Sequence, residues 1–429
     1  MSTIYLDNNA TTRPADEVAE AVDRANRELW ANPSSVHRPG QRVRQQLELA
    51  RASVAELIGA RPRELVFTSG GTESNTLAIA GTLGAMSPGA MQSGKVHPGA
   101  AHPGESGEPR AALLTTAIEH SAVREPAEAL REAGASVEML TGDEAGGLSP
   151  SPVTDAAERL ASDLADGGTL LVSIQWANNE TGVIQPIAEI AAALDALRQR
   201  LRESSDDKRV KVLLHVDATQ AVGKLPVDVK HAGVDLLTLA GHKLHGPKAT
   251  GALYIRTGVR LRPVQRGGPQ ERERRGGTEN VPGIFGLGVA ARLARDFLAD
   301  ADRIDALRAL RDGFERRILE RIEDAAINAG GPDVPRLWNT SNLAFPGLEA
   351  EAILVGLSEK GVCASAGAAC SSGSLEPSPV LLAMGYDEPR AHGSVRFSLS
   401  RETTRDELDR AAAITEEVVS KLRKTMPVG

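Results

Sequence analysis

Short apolar segments alternate with helical patterns through most of this chain, and that alternation restricts the fold more than any other feature. Apolar runs at 113–117, 170–174 and 212–216 each end in polar residues, and a helical pattern occupies 187–202. Strands that alternate with helices predict a mostly parallel sheet flanked by helices. Ligands of such sheets bind at the carboxyl ends of the strands. The polar residues that follow the strands are therefore the candidate site.

The length of 429 residues allows two domains. We predict a large α/β domain over residues 14–296. Residues 297–429 have an α+β pattern and, together with residues 1–13, are predicted to form a smaller domain. Residues 84–110 are rich in Gly, Pro, Ala and His without periodicity, which predicts a flexible insertion in the large domain.

Composition argues against several classes of function. A net charge of −8 and a pI near 5.7 do not favour nucleic acid or anionic lipid as a partner. No apolar run approaches the roughly 20 residues of a membrane helix, and the N-terminus does not resemble a signal peptide. The two cysteines, Cys363 and Cys370, fit a reducing cytoplasm and do not have the spacing of a metal site. We therefore expect a cytoplasmic protein without a bound metal.

Lys243 lies between two apolar runs, at 234–240 and 251–255. Burial disfavours the ammonium form, which lowers the pKa of a lysine and makes its amine a nucleophile for a carbonyl. Pyridoxal phosphate is the usual aldehyde partner of such a lysine. The alternative is a surface lysine in a β-turn, since lysine is rarely buried without a partner.

Other strand ends supply the remaining groups that pyridoxal phosphate requires. Gly71 and Thr72 follow a strand and open a helix, whose backbone N–H groups can bind an anion. Asp217 lies one strand-helix-strand crossover before Lys243 and can keep a pyridine nitrogen protonated. His120 ends a third strand and could cover the ring. Each residue alone could be a helix cap or a core side chain, but their joint placement favours a cofactor site.

An ordered series of motifs extends this pattern through nearly the whole chain. The series resembles the NifS/IscS-type cysteine desulfurases of the class V aminotransferase group. The motifs are YLDNNATT at 5–12, NPSSVH at 32–37, FTSGGTESN at 67–75, EHSAV at 119–123, NNETGVIQP at 178–186, HVDATQ at 215–220, GHKLHGPK at 241–248, GTENV at 277–281 and RFSLSR at 396–401. Many motifs in one order are specific, although each alone is weak.

The resemblance implies a fold-type I transferase of pyridoxal phosphate. Its large domain has a mostly parallel, seven-stranded type of sheet flanked by helices, and its C-terminal domain is a smaller α+β unit. The implied activity converts L-cysteine to L-alanine and leaves the sulfur on Cys370 as a persulfide. An acceptor protein for Fe–S cluster assembly or tRNA thiolation would then take the sulfur. A homodimer is also implied.

The resemblance assigns further roles to matching residues. Lys243 would bind the cofactor and move a proton, His120 would stack on the ring, and Asp217 would pair with the pyridine nitrogen. The other implied contacts are Asn179 and Gln220 near the ring hydroxyl, Gly71, Thr72 and His242 at the phosphate, Thr278 at the phosphate of the neighbouring subunit, and Arg396 and Asn32 at the substrate.

Cys370 lies in a stretch of small and polar residues, 366–374, that favours a mobile loop. On composition alone it could be a tolerated small residue. The resemblance makes it the active-site thiol, and the segment 374–378 resembles the branch of the family with the longer loop. The thiolate is the reactive form, and His120 is our candidate for the proton acceptor. Cys363 follows an apolar segment and is interpreted as structural.

Three positions depart from the family pattern. Many members have a phosphate-binding Ser where this chain has Ala240, a loss of about one hydrogen bond, ~1 kcal/mol, unless Thr238 or a water substitutes. Members commonly have Gly where Glu273 stands and Ser where Gly276 stands. Two other functions stay open at this stage. One is a related pyridoxal enzyme, an aminotransferase or selenocysteine lyase, and the other is a non-catalytic pyridoxal-binding partner protein.

Overall fold

The computed structural model describes residues 3–84, 110–203, 209–330, 334–366 and 376–425. The predicted insertion at 84–110 lies outside these ranges except for its two end residues. Cys370 also lies outside them.

The described strands and helices follow one another as the sequence pattern predicts over most of the chain. The strands are β1 (Ile4–Tyr5), β2 (Leu65–Thr68), β3 (Ala111–Thr116), β4 (Ser136–Leu140), β5 (Thr169–Gln175), β6 (Lys211–Asp217), β7 (Leu236–Ala240), β8 (Gly251–Ile255), β9 (Ala326–Ile327), β10 (Thr340–Ala344), β11 (Val362–Cys363) and β12 (Ser394–Ser398). The α-helices are α1 (Asp16–Glu28), α2 (Arg38–Leu57), α3 (Gly71–Leu83), α4 (Ser121–Glu132), α5 (Pro150–Ser162), α6 (Ile187–Glu203), α7 (Val281–Leu298), α8 (Ala301–Arg321), α9 (Ala350–Glu359), α10 (Pro379–Ala383), α11 (Glu388–His392) and α12 (Arg405–Thr425).

A seven-stranded sheet with the order β2-β8-β7-β6-β5-β3-β4 forms the centre of the molecule. Strands β4, β3, β5, β6 and β7 pair in parallel, and β8 pairs antiparallel with both β7 and β2. Strand β2 therefore runs in the same direction as β7, and its carboxyl end lies at the same edge. The predicted α/β class with a mostly parallel sheet is confirmed.

Helices cover both faces of this sheet. Apolar residues of α1, α2, α5, α6 and α7 pack against one face, and those of α3 and α4 pack against the other. In α2 the apolar positions Val43, Leu47, Ala50 and Val54 recur at helical spacing and are buried, as the sequence predicts. None of the described helices is long and apolar enough to cross a membrane.

A second apolar core lies around the three-stranded sheet β12-β10-β9 and the two-stranded sheet β1-β11. It joins Ile4 and Leu6 from the N-terminus to Phe397 of β12, with α8, α9 and α12 around them. The predicted association of residues 1–13 with the C-terminal part stays a prediction of domain boundaries, although these contacts favour it.

Helix boundaries differ from the sequence prediction in places. The predicted helix over 302–325 ends at Arg321, and Asp324 has a φ of 61°, a left-handed conformation that cannot continue a helix. Neither α4 nor α5 is predicted from the sequence pattern. Pro126 interrupts the helical pattern of α4, whereas Pro150 at the first position of α5 is a favourable helix-start signal that was missed.

Candidate functional site

The first helical turn after β2 forms one end of the candidate site. Helix α3 begins at Gly71, and its N-cap residue Gly70 has no side chain that could satisfy the terminal N–H groups. Glu73 accepts a hydrogen bond from the Ser69 N–H at 2.7 Å. Such a helix start, with its positive dipole end, suits an anionic group.

Asp217 ends β6 and forms the opposite end of the site. Its Oδ2 accepts a hydrogen bond of 2.7 Å from Asn75 Nδ2, and its Oδ1 accepts one of 2.9 Å from the Thr219 N–H. The side chain is buried. Two fixed donors hold this carboxylate in one orientation.

Lys243 lies in a 3₁₀ turn, Gly241–Lys243, that follows β7 directly. Its Nζ donates hydrogen bonds to the backbone oxygens of Asn9 and Ala10, the latter at 2.9 Å. Glycine is required at 241, since a Cβ there would lie 2.5 Å from Thr250 Oγ1. The half-buried lysine therefore contacts the backbone of the N-terminal segment.

Two histidines contribute to the site in different ways. His120 is the N-cap of α4, and its Nδ1 accepts a 3.0 Å hydrogen bond from the Ala122 N–H, which leaves the ring proton of the neutral form on Nε2. Burial lowers the pKa of His242 to about 4, with the charges of Lys243 and Lys224 acting in the same direction. His242 is therefore neutral at physiological pH, and its Nδ1 lies 3.2 Å from Thr11 Oγ1.

Two amides lie between the ends of the site. Gln220 donates through Nε2 to the Asn9 backbone oxygen at 3.0 Å, and its Oε1 accepts from Lys224 Nζ. The Oδ1 atom of Asn179 is buried and has no hydrogen-bond partner among the described residues. That oxygen can accept a hydrogen bond from a bound group.

These residues surround one cavity of about 250 Å³ at the carboxyl edge of the sheet. Eight predicted site residues line it: Gly71, Thr72, His120, Asn179, Asp217, Gln220, His242 and Lys243. The described part of the chain contains no group of three His, Cys, Asp or Glu side chains that could hold a metal ion.

Three further predicted residues, Arg396, Asn32 and Thr278, are described and do not line this cavity. Arg396 is buried; its Nη2 lies 2.8 Å from Asp7 Oδ1 and its Nη1 donates to the Asn179 backbone oxygen at 3.0 Å. Asn32 and Thr278 are exposed, and Asn32 Oδ1 accepts from the Ser34 N–H at 2.8 Å. The roles of these residues and of Cys370 stay predictions.

The structure also adds residues that the sequence analysis did not select. Asn75 and Thr219 line the cavity, and Lys224 lies behind Gln220. Burial, together with the charges of Lys243 and Arg396, lowers the pKa of Lys224 well below its usual value. The available signal for Asn75 was its position in the polar first turns of the helix that follows β2, and the signal for Lys224 was a lysine four residues after Gln220.

Glu119, next to His120, is fully buried beside the site. Burial raises the pKa of its carboxyl to about 8, with the charge of Asp217 acting in the same direction. Its Oε1 accepts hydrogen bonds from the Gln175 N–H at 2.8 Å and from Thr116 Oγ1 at 3.0 Å. A neutral carboxyl here avoids a second buried negative charge near Asp217.

The three departures from the family pattern have different structural contexts. Thr238 is fully buried, does not line the cavity and has its Oγ1 3.1 Å from His215 Nε2, so it does not take the place of the hydroxyl missing at Ala240. Gly276 is needed, since a Cβ there would lie 2.6 Å from the Gly267 nitrogen. Glu273 has a φ of 64°, a conformation that favours glycine.

Comparisons with known proteins agree on one group. The family model of the class V aminotransferases matches residues 4–91 and 100–411. A cysteine desulfurase of Trichormus variabilis is 44% identical over 427 residues, which span 100% of this chain and 96% of that protein. The cysteine desulfurase NifS of Azotobacter vinelandii is 43% identical over 428 residues, with 100% of this chain and 95% of that protein covered. A solved NifS-like protein superposes with a TM-score of 0.80 at 32% identity, over 98% of this chain and 100% of that one.

Proposed function

The chain belongs to the class V aminotransferase family and functions as a cysteine desulfurase, and we propose that it does so with pyridoxal phosphate at Lys243 and with Cys370 as the sulfur-accepting thiol. The observation that carries the proposal is the single cavity that brings Lys243, Asp217 and His120 together with the start of α3.

The residues of the cavity fit pyridoxal phosphate. The helix start at Gly71 suits the phosphate, and Asp217 at the other end suits a protonated pyridine nitrogen. The buried Asn179 Oδ1 has no partner among the described residues, and the ring hydroxyl could donate to it. His120 also lines the cavity, and its imidazole could cover the ring.

The bound cofactor would supply an electron-withdrawing ring that stabilises negative charge developing at the substrate α-carbon. The residues of the chain would bind the substrate and transfer protons. Arg396 would bind the carboxylate of L-cysteine through its planar guanidinium, a geometry that suits a carboxylate. Lys243 Nζ would remove the α-proton. His120, whose neutral form carries its proton on Nε2, would donate a hydrogen bond from that nitrogen to the substrate or to the Cys370 thiolate, which would stabilise the thiolate but would not deprotonate the thiol.

The sulfur step would take place at Cys370. Its thiolate attacks the sulfur of L-cysteine, a sulfur–sulfur bond forms and the carbon–sulfur bond of the substrate breaks. The electron pair of that bond stays with the substrate carbon, which is protonated and leaves as L-alanine. The persulfide on Cys370 then passes its outer sulfur to an acceptor protein, as cysteine desulfurases do. We also propose a homodimer, in which the exposed Thr278 would reach the phosphate site of the neighbouring subunit, and a cytoplasmic location.

The test is to load the purified protein with pyridoxal phosphate and to follow alanine and sulfide from L-cysteine in the presence of a thiol reductant, which converts the persulfide sulfur to sulfide. Lys243→Ala should lose the visible absorbance of the covalently bound cofactor and form no alanine. Lys248→Ala, a matched change of a lysine in the same motif, should keep both. Equal alanine formation by the Lys243→Ala protein would refute the proposal. Selenide release or amino transfer as the main activity would favour the related enzymes instead.

A further inference from the structure

The hydroxyl of Thr219 occupies an unusual position beside the cofactor site. Its Oγ1 is buried and has no hydrogen-bond partner among the described residues. A Cβ placed on Gly71, the first residue of α3, would lie 3.1 Å from this oxygen and 3.7 Å from the Cβ of Ala240. The Thr219 hydroxyl and the Ala240 methyl group therefore lie next to the same helix start.

An unpartnered hydroxyl in this position is costly unless a ligand binds it. A buried hydroxyl without a hydrogen bond loses its water contacts and gains nothing in return. The backbone N–H of Thr219 already donates to Asp217 Oδ1 at 2.9 Å, which fixes the residue in the turn after β6. The side-chain oxygen remains available to donate to an anion at the start of α3.

We propose that Thr219 Oγ1 is a phosphate-binding donor that substitutes for the hydroxyl missing at Ala240. This inference rests on the proposed function, because it requires pyridoxal phosphate in the cavity. Thr238, the other nearby threonine, is engaged by His215 Nε2. Position 240 offers only a methyl group, so the hydroxyl of Thr219 would fill this part of the phosphate site.

The experiment compares the affinity of two ligands, pyridoxal phosphate and pyridoxal, by absorbance titration of the cofactor-free full-length protein. Thr219→Val removes the hydroxyl and keeps the shape of the side chain. It should weaken pyridoxal phosphate binding by about tenfold or more, as expected for a lost hydrogen bond to a charged group, and leave pyridoxal binding unchanged. Thr219→Ser keeps the hydroxyl and should bind both ligands as the wild type does.

Two further variants sharpen the test. Thr219→Val combined with Ala240→Ser should recover most of the lost pyridoxal phosphate affinity. Thr115→Val, which removes a buried hydroxyl that donates to the Ser173 backbone oxygen at 2.9 Å, should not discriminate between the two ligands.

Equal weakening of both ligands by Thr219→Val, or no weakening of either, would overturn the inference. If the wild type binds pyridoxal phosphate while Thr219→Val matches it, only the inference about Thr219 fails. If the wild type binds neither ligand, the proposed function fails with it.

Discussion

Asn75 Nδ2 donates a hydrogen bond of 2.7 Å to Asp217 Oδ2, although 142 positions separate the two residues in sequence. Asn75 belongs to α3, the helix whose first turn is the proposed phosphate site, and Asp217 is the proposed partner of the pyridine nitrogen. The hydrogen bond therefore links the two ends of the cofactor site directly. A ligand that contacts both ends would find their spacing already fixed.

Replacement of Asn75 by Leu should disturb this link. The change leaves Asp217 Oδ2 without its side-chain donor in a buried place, and hydrogen bonds to charged groups contribute about 1.5–3 kcal/mol. We expect pyridoxal phosphate affinity to fall by roughly tenfold or more, measured by absorbance titration. Asn75→Asp should be worse, since it places a second carboxyl beside Asp217. An unchanged affinity in Asn75→Leu would show that Asp217 needs no fixed orientation.

Replacement of Glu273 by Gly should stabilise the protein. Glu273 has a φ of 64°, and a left-handed conformation costs a residue other than glycine about 1 kcal/mol. The extra chain entropy of glycine in the unfolded state offsets part of this gain, so the free energy of unfolding should increase by about 0.5 kcal/mol, measured by urea titration. Glu144→Gly, at an exposed site without positive φ, is the control and should not stabilise. Equal effects of both changes would mean that the conformation of Glu273 is not strained.

Replacement of Glu119 by Gln should change how stability depends on pH. Folding raises the pKa of this carboxyl from 4.5 to about 8, so the folded protein keeps a proton that the unfolded chain has lost. Wild-type stability therefore contains a term that is fully present below pH 4.5 and declines as pH rises towards 8, by about 1.4 kcal/mol per pH unit for one proton.

The amide of Glu119→Gln does not titrate. The difference in unfolding free energy, variant minus wild type, should thus increase steadily from about pH 5 to 8. Glu125→Gln, a change of an exposed carboxylate six residues further along the chain, serves as the control for loss of a carboxylate. A difference for Glu119→Gln that does not vary with pH would show that Glu119 is already ionised in the folded protein.

Replacement of Arg396 by Lys should affect substrate binding more than turnover. A lysine keeps the charge but cannot present two parallel N–H groups to a carboxylate. We expect the KM for L-cysteine to rise roughly tenfold with a smaller change in kcat. The exposed Arg405→Lys should leave both constants unchanged. A lower kcat at unchanged KM would assign Arg396 to support of Asp7 and Asn179 rather than to the substrate.

Much of this site could be predicted from the sequence, and the reason is topological. Asp217 ends a strand, and His120 and Lys243 lie within four residues of the ends of two others. Parallel strands bring such residues to one edge of a sheet. Gly71 reaches that edge as well, since β2 runs in the same direction as β7. The residues at strand ends could therefore be predicted without knowing how the side chains pack.

Contacts between side chains from distant segments could not be predicted in this way. The hydrogen bond from Asn75 to Asp217 depends on how helix α3 is rotated over the sheet, and the contact of Lys224 with Gln220 depends on the path of the turns after β6. The sequence offered Thr238 as a substitute for the hydroxyl missing at Ala240. In the structure its hydroxyl contacts His215 on the neighbouring strand instead. A sequence pattern indicates where strands lie along the chain and where they end, whereas these hydrogen bonds depend on side-chain orientation.

The central claim is that sulfur leaves L-cysteine by transfer to Cys370. The most direct measurement is mass spectrometry of the protein loaded with pyridoxal phosphate after one turnover with L-cysteine, together with sulfide release. Wild type and Cys363→Ala should carry one additional sulfur at Cys370 when no reductant is present and should release that sulfur as sulfide once a thiol reductant is added, and Cys370→Ala should bind the cofactor but do neither. Full sulfide release by Cys370→Ala, or an additional sulfur on Cys363 instead, would contradict the account.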